Sequence, residues 1–257
     1  MKKIITVILA FALAASLLSG CSKMKELFAD VSDTDVSASD VSASDVSSSD
    51  AGEATLSKEA AAAFDEELTA LMNEYGEGTA TEDGIFLTGV PYVKLVDFDS
   101  DGQFEMLAAY YAVNDEATEY VNTYRVYAFK DGKAEVVREN KLSNFGNGDA
   151  PGIKMIKKDG TTYMVENNCG AEINYLRLND IGIFVTDLAY TCNEYEDDFA
   201  VINDEQYSFE DAAAKLEEFE SGAEIDETMF YDYENSGVLG NIVTETNAVI
   251  EQIRNAK

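Results

Sequence analysis

The run Val93-Lys94-Leu95-Val96-Asp97-Phe98-Asp99-Ser100-Asp101-Gly102-Gln103-Phe104-Glu105-Met106-Leu107 constrains the fold more than any other part of the chain. Apolar residues flank an acidic centre on both sides, so the stretch reads as strand, tight loop, strand. Acids stand at loop positions 1, 3, 5 and 9, with a glycine at 6. Alternate residues of a tightly curled loop turn their side chains inward. Asp97, Asp99, Asp101 and Glu105 can therefore converge on one cation, joined at position 7 by the backbone carbonyl of Gln103. Gly102 supplies the positive φ that reverses the loop without a Cβ clash. A shell of hard oxygen donors predicts calcium. The competing reading is an Asp-Gly hairpin turn whose acids are simply solvated. In a chain with 50 acids and 17 glycines among 257 residues, the full pattern arises by chance on the order of 0.02 times, which favours the cation. An EF-hand would place a bidentate Glu at its twelfth position. Here that position is Ala108, so Glu105 must close the site.

The nine residues Asp97 to Glu105 resemble the DxDxDGxx(D/E) loops of FG-GAP-type repeats. Set between a hydrophobic strand and Glu105-Met106-Leu107, they are more similar to the single calcium-loop element of surface lipoproteins from low-GC Gram-positive bacteria. A propeller needs several such loops at a regular period, and the sequence has one. The resemblance implies a calcium-stabilised extracytoplasmic domain. It implies nothing about a substrate.

The N-terminus points to the same compartment. Lys2 and Lys3 precede the apolar run Ile4 to Leu18, followed by Leu18-Ser19-Gly20-Cys21. This reads as a secretory signal, residues 1–20, ending in a lipobox. The apolar run is short for a membrane-spanning helix. Cys21 would become the mature N-terminus, carrying lipid chains that hold the protein on the outer face of the bacterial cell membrane. Residues 21–55 form a spacer in which Asp recurs at 30, 35, 40, 45 and 50. A five-residue period fits neither a helix face nor a strand face, and isolated valines among Ser and Asp bury too little to offset chain entropy. The spacer is expected to be disordered and extended by charge repulsion.

Residues 56–257 form one folded domain by length. Ser57 caps a helix with Phe64, Leu68, Leu71, Met72 and Tyr75 on one face, ended by Gly76 to Gly78. Short strands follow at Val93–Asp97, Glu105–Val113, Thr123–Phe129 and Ala134–Glu139, then at Lys154–Ile156, Tyr163–Asn167, Ile173–Leu178 and Ile183–Ala189. Turns at Lys130-Asp131-Gly132-Lys133, Lys158-Asp159-Gly160 and Asn179-Asp180-Ile181-Gly182 connect hairpins. Ser208 opens a helix with Ala212, Leu216 and Phe219 on its buried side. A last helix carries Leu239, Ile242, Val243, Thr246, Ile250 and Ile253 on one face. The fold class is therefore α+β, an antiparallel β-meander with flanking N- and C-terminal helices. Asn144 to Gly152 is the longest irregular loop of the sheet region, either a binding loop or a connector.

Cys169 and Cys192 flank the hairpin that turns near Asp180-Ile181. A two-residue turn there would set them directly opposite, and an exported protein permits a disulfide. Two buried free thiols are the alternative.

Composition excludes several functions. The formal charge is −32, so phosphates repel the protein and nucleic acid is excluded as a partner. With no His in the chain, Ser-His-Asp and Cys-His catalysis and the usual zinc hydrolase sites are impossible. The acidic runs Glu194–Asp198 and Glu217–Glu227 read as solvated faces. The expectation is a non-enzymatic, membrane-anchored lipoprotein with a calcium-stabilised domain and a binding role toward an envelope or extracellular ligand. The alternative is a carboxylate-dependent hydrolase of cell-wall or dietary glycans.

Overall fold

Helix α1 (Lys58–Tyr75) begins where Ser57 accepts the Ala60 amide at 3.1 Å, satisfying one of the orphan donors of the first turn. It ends at Gly76, whose φ of 94° no side chain adopts comfortably. The computed structural model describes residues 54–80, 87–113, 120–142, 152–168, 170–192, 199–230 and 236–257. The signal segment, Cys21 and the spacer up to residue 53 lie outside the described residues. So do Cys169, the run Glu194–Asp198 and all but Gly152 of the irregular loop.

After α1 come two short strands, β1 (Thr79–Ala80) and β2 (Leu87–Thr88), which pair with each other. The strands β3 (Tyr92–Val96), β4 (Glu105–Val113), β5 (Tyr120–Lys130) and β6 (Lys133–Leu142) form an antiparallel four-stranded sheet in sequence order. A second sheet is built from β7 (Gly152–Lys158), β8 (Thr161–Asn168), β9 (Glu172–Leu178), β10 (Phe184–Cys192), β11 (Ala200–Ile202) and β12 (Glu205–Tyr207). Helix α2 (Phe209–Glu220) follows, then β13 (Glu224–Phe230) and helix α3 (Ser236–Ala256). Strand order in the second sheet is β12-β11-β10-β9-β8-β7-β13.

The meander is thus divided into two sheets packed face to face. Leu107, Ala109, Tyr124 and Val126 of the first sheet share one core with Met155, Met164, Leu176 and Leu178 of the second. Alternation sends Met106, Ala108 and Tyr110 to the opposite face, where Phe64, Leu68 and Leu71 of α1 and Ile250 and Ile253 of α3 cover them. Tyr75 stacks on Tyr110 with ring centroids 4.4 Å apart. On the far side of the second sheet, Ala212 and Leu216 of α2 cover Val165, Tyr175, Leu188 and Tyr190. The result is four layers: helices, sheet, sheet, helix.

The acids Glu217, Glu218 and Glu224 of the run Glu217–Glu227 are exposed, as a solvated face requires, and Glu224 opens β13, which pairs antiparallel with β7. Two expectations are corrected. The β9–β10 connection is a five-residue loop, Asn179 to Ile183, rather than a two-residue turn, because Phe184 pairs with Leu178. Asn179 organises it by accepting the Ile181 and Ile183 amides at 3.2 and 2.9 Å. A bulge between Thr186 and Leu188 then shifts the register again. Cys192 consequently donates its amide to the Ala171 carbonyl at 2.8 Å, so the ladder sets it opposite residue 171 and not opposite 169.

A candidate metal centre

The loop 97–104 joins β3 to β4, and the pairing of Val96 with Glu105 sets its mouth. Strand alternation puts Glu105 on the same face as Leu107 and Ala109, toward the core between the sheets, and it is only 5 % exposed. Phe98, between two of the acids, is driven into that core by its apolar ring and meets Phe184 edge-on at 5.3 Å. Burying Phe98 turns its neighbours Asp97 and Asp99 the other way, toward each other.

The loop closes through its own carboxylates. Asp97 Oδ2 accepts the Gly102 amide at 3.2 Å, Asp99 Oδ1 the Asp101 amide at 3.2 Å, and Asp101 Oδ1 the Gln103 amide at 2.7 Å. The last two are Asx turns, in which the side chain takes the place of a backbone carbonyl. Ser100 at φ 61° and Gly102 at φ 85° make the reversal. The Ser100 hydroxyl also donates to the Gly160 carbonyl, 3.3 Å away on the β7–β8 turn, tying the loop to the second sheet.

Asp97, Asp99 and Glu105 each offer a carboxylate oxygen within 4.8 Å of the others, a group that could hold a metal ion. Asp101 stands outside this group, its second oxygen accepting from the Gln103 amide side chain at 3.3 Å. Two observations fit a cation to the three acids. The Asp97 Oδ1 atom is buried and has no hydrogen-bond partner, which is unfavourable unless something else satisfies it. Glu105 accepts only the Phe98 amide, at 3.0 Å, among its identified hydrogen bonds. Burial, together with the charges of Asp99, Asp101 and Asp97, pushes its carboxyl up to about 8. Burial and the neighbouring Asp101 likewise raise Asp99. The arrangement gathers three carboxyl groups around one centre. One wall of the site opens to a cavity of about 240 Å³, lined by Asp99, Glu105, Phe129, Lys130 and Ile181.

A second buried carboxylate escaped the sequence reading. Glu166 of β8 is 2 % exposed, on the inter-sheet face with Met164. Its Oε1 accepts from the Arg138 Nε at 2.7 Å and from the Tyr124 hydroxyl, and its Oε2 from Asn140 Nδ2 at 3.1 Å. Burial and the Glu172 charge push this carboxyl up, to about 8. The guanidinium nitrogen 2.5 Å away pulls in the opposite direction. We take the pair as ionised, since a neutral acid would leave a largely buried Arg138 without its counter-charge. This network pins β5 and β6 to β8 and has no metal-binding geometry. The signal for it was a lone Glu in the apolar strand Tyr163-Met164-Val165-Glu166.

Compared with known proteins, the chain matches no protein-family model, no curated protein and no solved structure. The site therefore rests on its own geometry. No helix among the described residues is long and apolar enough to cross a membrane.

Proposed function

We propose that the chain is an extracytoplasmic lipoprotein, anchored to the outer face of the cell membrane through Cys21, whose folded domain is stabilised by calcium and serves a binding role in the envelope. The observation that carries the metal part is the convergence of Asp97, Asp99 and Glu105 around a buried, unpartnered Asp97 oxygen. Calcium suits this set better than magnesium. A loop of carboxylates and a Gln103 carbonyl offers a large, adaptable oxygen shell, whereas magnesium demands a near-ideal octahedron and keeps most of its water. Asp101 would trade its hydrogen bonds from Gln103 for the ion. The membrane part is supported by Leu18-Ser19-Gly20-Cys21 behind a basic and apolar leader.

The role proposed for the metal is structural. The loop joins β3 to β4, reaches the second sheet through Phe98 and Ser100, and buries Glu105 in the shared core. A cation there neutralises repulsion at the point where the two sheets meet. Calorimetric titration of the full-length chain in detergent with calcium, then with magnesium, tests this reading. Heat of binding for calcium and little for magnesium supports it, and no heat with either ion refutes it.

A further inference from the structure

Thr55, near the start of the described residues, bears directly on the metal loop. Thr55 donates its amide to the Gly102 carbonyl at 2.9 Å, and its hydroxyl lies 3.4 Å from the same oxygen. Thr55 and Gln103 form an isolated parallel bridge. In a parallel bridge the peptide groups on either side of the partner residue face the bridging strand, while the partner's own amide and carbonyl face away. Gln103 follows this rule, since its amide turns inward to Asp101 Oδ1 at 2.7 Å. Its carbonyl, the loop's position-7 donor, is thereby directed away from Thr55.

We propose that docking of Thr55 and loading of the metal loop are coupled, so that calcium acts as a clasp on the point where the anchor's spacer joins the folded domain. The coupling follows from geometry. Thr55 holds the Gly102 and Phe104 peptides in the orientation that leaves the Gln103 carbonyl to the ion. An ion that binds this carbonyl holds the same peptides in place for Thr55. By linkage each event favours the other to the same degree. The inference rests on the calcium reading of the loop, and adds to it a function for the cation: it fixes where the chain leaves the domain on its way to the lipid.

The test uses the full-length chain in detergent. Hydrogen exchange at the Thr55 amide should slow in 10 mM calcium relative to EDTA. Thr55→Pro removes the donor and should weaken calcium binding about two- to tenfold, the range for one net backbone hydrogen bond. If the wild-type chain binds calcium by calorimetry but Thr55 exchanges at the same rate with and without it, the coupling is wrong while the metal site stands. Unchanged calcium affinity in a folded Thr55→Pro variant has the same meaning. If the variant unfolds, the wild-type exchange comparison alone decides. Absence of calcium binding in the wild type overturns both readings.

Discussion

Glu105→Gln separates the electrostatics of the loop from its shape. The amide keeps the side chain's size and an oxygen to accept the Phe98 amide, but it cannot ionise. In metal-free wild type, the carboxyl sits at about 8 against an ordinary 4.5, chiefly because of burial and then the three aspartates. Between those two values the native state holds a proton that the unfolded chain has released, so stability falls as pH rises through this window. At the conversion of about 1.4 kcal/mol per tenfold change, the full displacement corresponds to at most about 5 kcal/mol. Relaxation of the loop and mutual coupling of the acids bring the expectation to about 2–4 kcal/mol. Urea unfolding followed by far-UV circular dichroism at pH 5 and pH 8, in EDTA, measures it. Other acids contribute to the slope in a chain this negative, so the readout is the difference between wild type and variant. Wild type should lose about 2–4 kcal/mol more than Glu105→Gln across this range. At pH 8 the variant should be the more stable of the two without metal, and calcium should reverse that order. Parallel pH profiles in EDTA would refute the electrostatic account of the loop.

Phe98→Ala removes a fully buried ring that joins the loop to Phe184 across the sheets, and should lower unfolding free energy by about 3–5 kcal/mol in the same assay. For Asp65, burial alone would raise the carboxyl, but hydrogen bonds from Lys257 and Arg254 outweigh it and hold the group below its ordinary value. A depressed acid stabilises the fold above its unfolded pKa, and that contribution is lost as pH falls through the folded one. Asp65→Asn should therefore cost about 0.5–1 kcal/mol at pH 7 and nothing near pH 2, a modest effect because both basic partners are more than two-fifths exposed. Cys21→Ser should yield a chain neither lipidated nor cleaved, whereas intact-mass measurement of the wild type from cells should show a lipid-modified Cys21. An unmodified Cys21 would remove the anchor from the account.

Much of the local structure was legible because it depends on neighbours in sequence. The limits of β4 follow from the continuous apolar run that opens behind the acidic loop at Glu105, and Ser57 and Ser208 both cap helices, the latter accepting the Asp211 amide at 3.1 Å. Asp131-Gly132 and Asp159-Gly160 both adopt the positive φ pair that a two-residue hairpin requires. The carboxylate cluster was legible for the same reason, with Asp97, Asp99 and Glu105 brought together, as the spacing implies, in a group that could hold a metal ion. Asp101 was not separable from them by spacing, since either an Asx turn or a ligand suits its position.

The parts that were not legible depend on distant pairing. Nothing local distinguishes a single curled meander from two stacked sheets, because strands with both faces buried look alike in either. Strand β13 is hidden by its acids. Glu224-Ile225-Asp226-Glu227 reads as surface, and only the open edge of β7 makes it a strand. Bulges such as that at Thr186/Leu188 move later residues to the other face, placing Leu188 and Tyr190 against α2 rather than in the inter-sheet core. Such a shift has no signature in hydrophobic alternation until the partner strand is known.

The central claim is that Asp97, Asp99 and Glu105 hold calcium in a loop that joins the two sheets. Its most direct test is the thermal midpoint of the full-length chain at pH 7.5 in EDTA and in 10 mM calcium, for wild type and Asp99→Ala. With a dissociation constant of about 10⁻⁴ M, typical of extracellular modules, calcium should stabilise wild type by roughly 2.7 kcal/mol. That corresponds to an upward shift of about 5–10 °C for a domain of this size. Asp99→Ala should show no shift, and a midpoint in EDTA equal to or above that of wild type because one repelling charge is gone. Equal wild-type midpoints in EDTA and in calcium would contradict the claim.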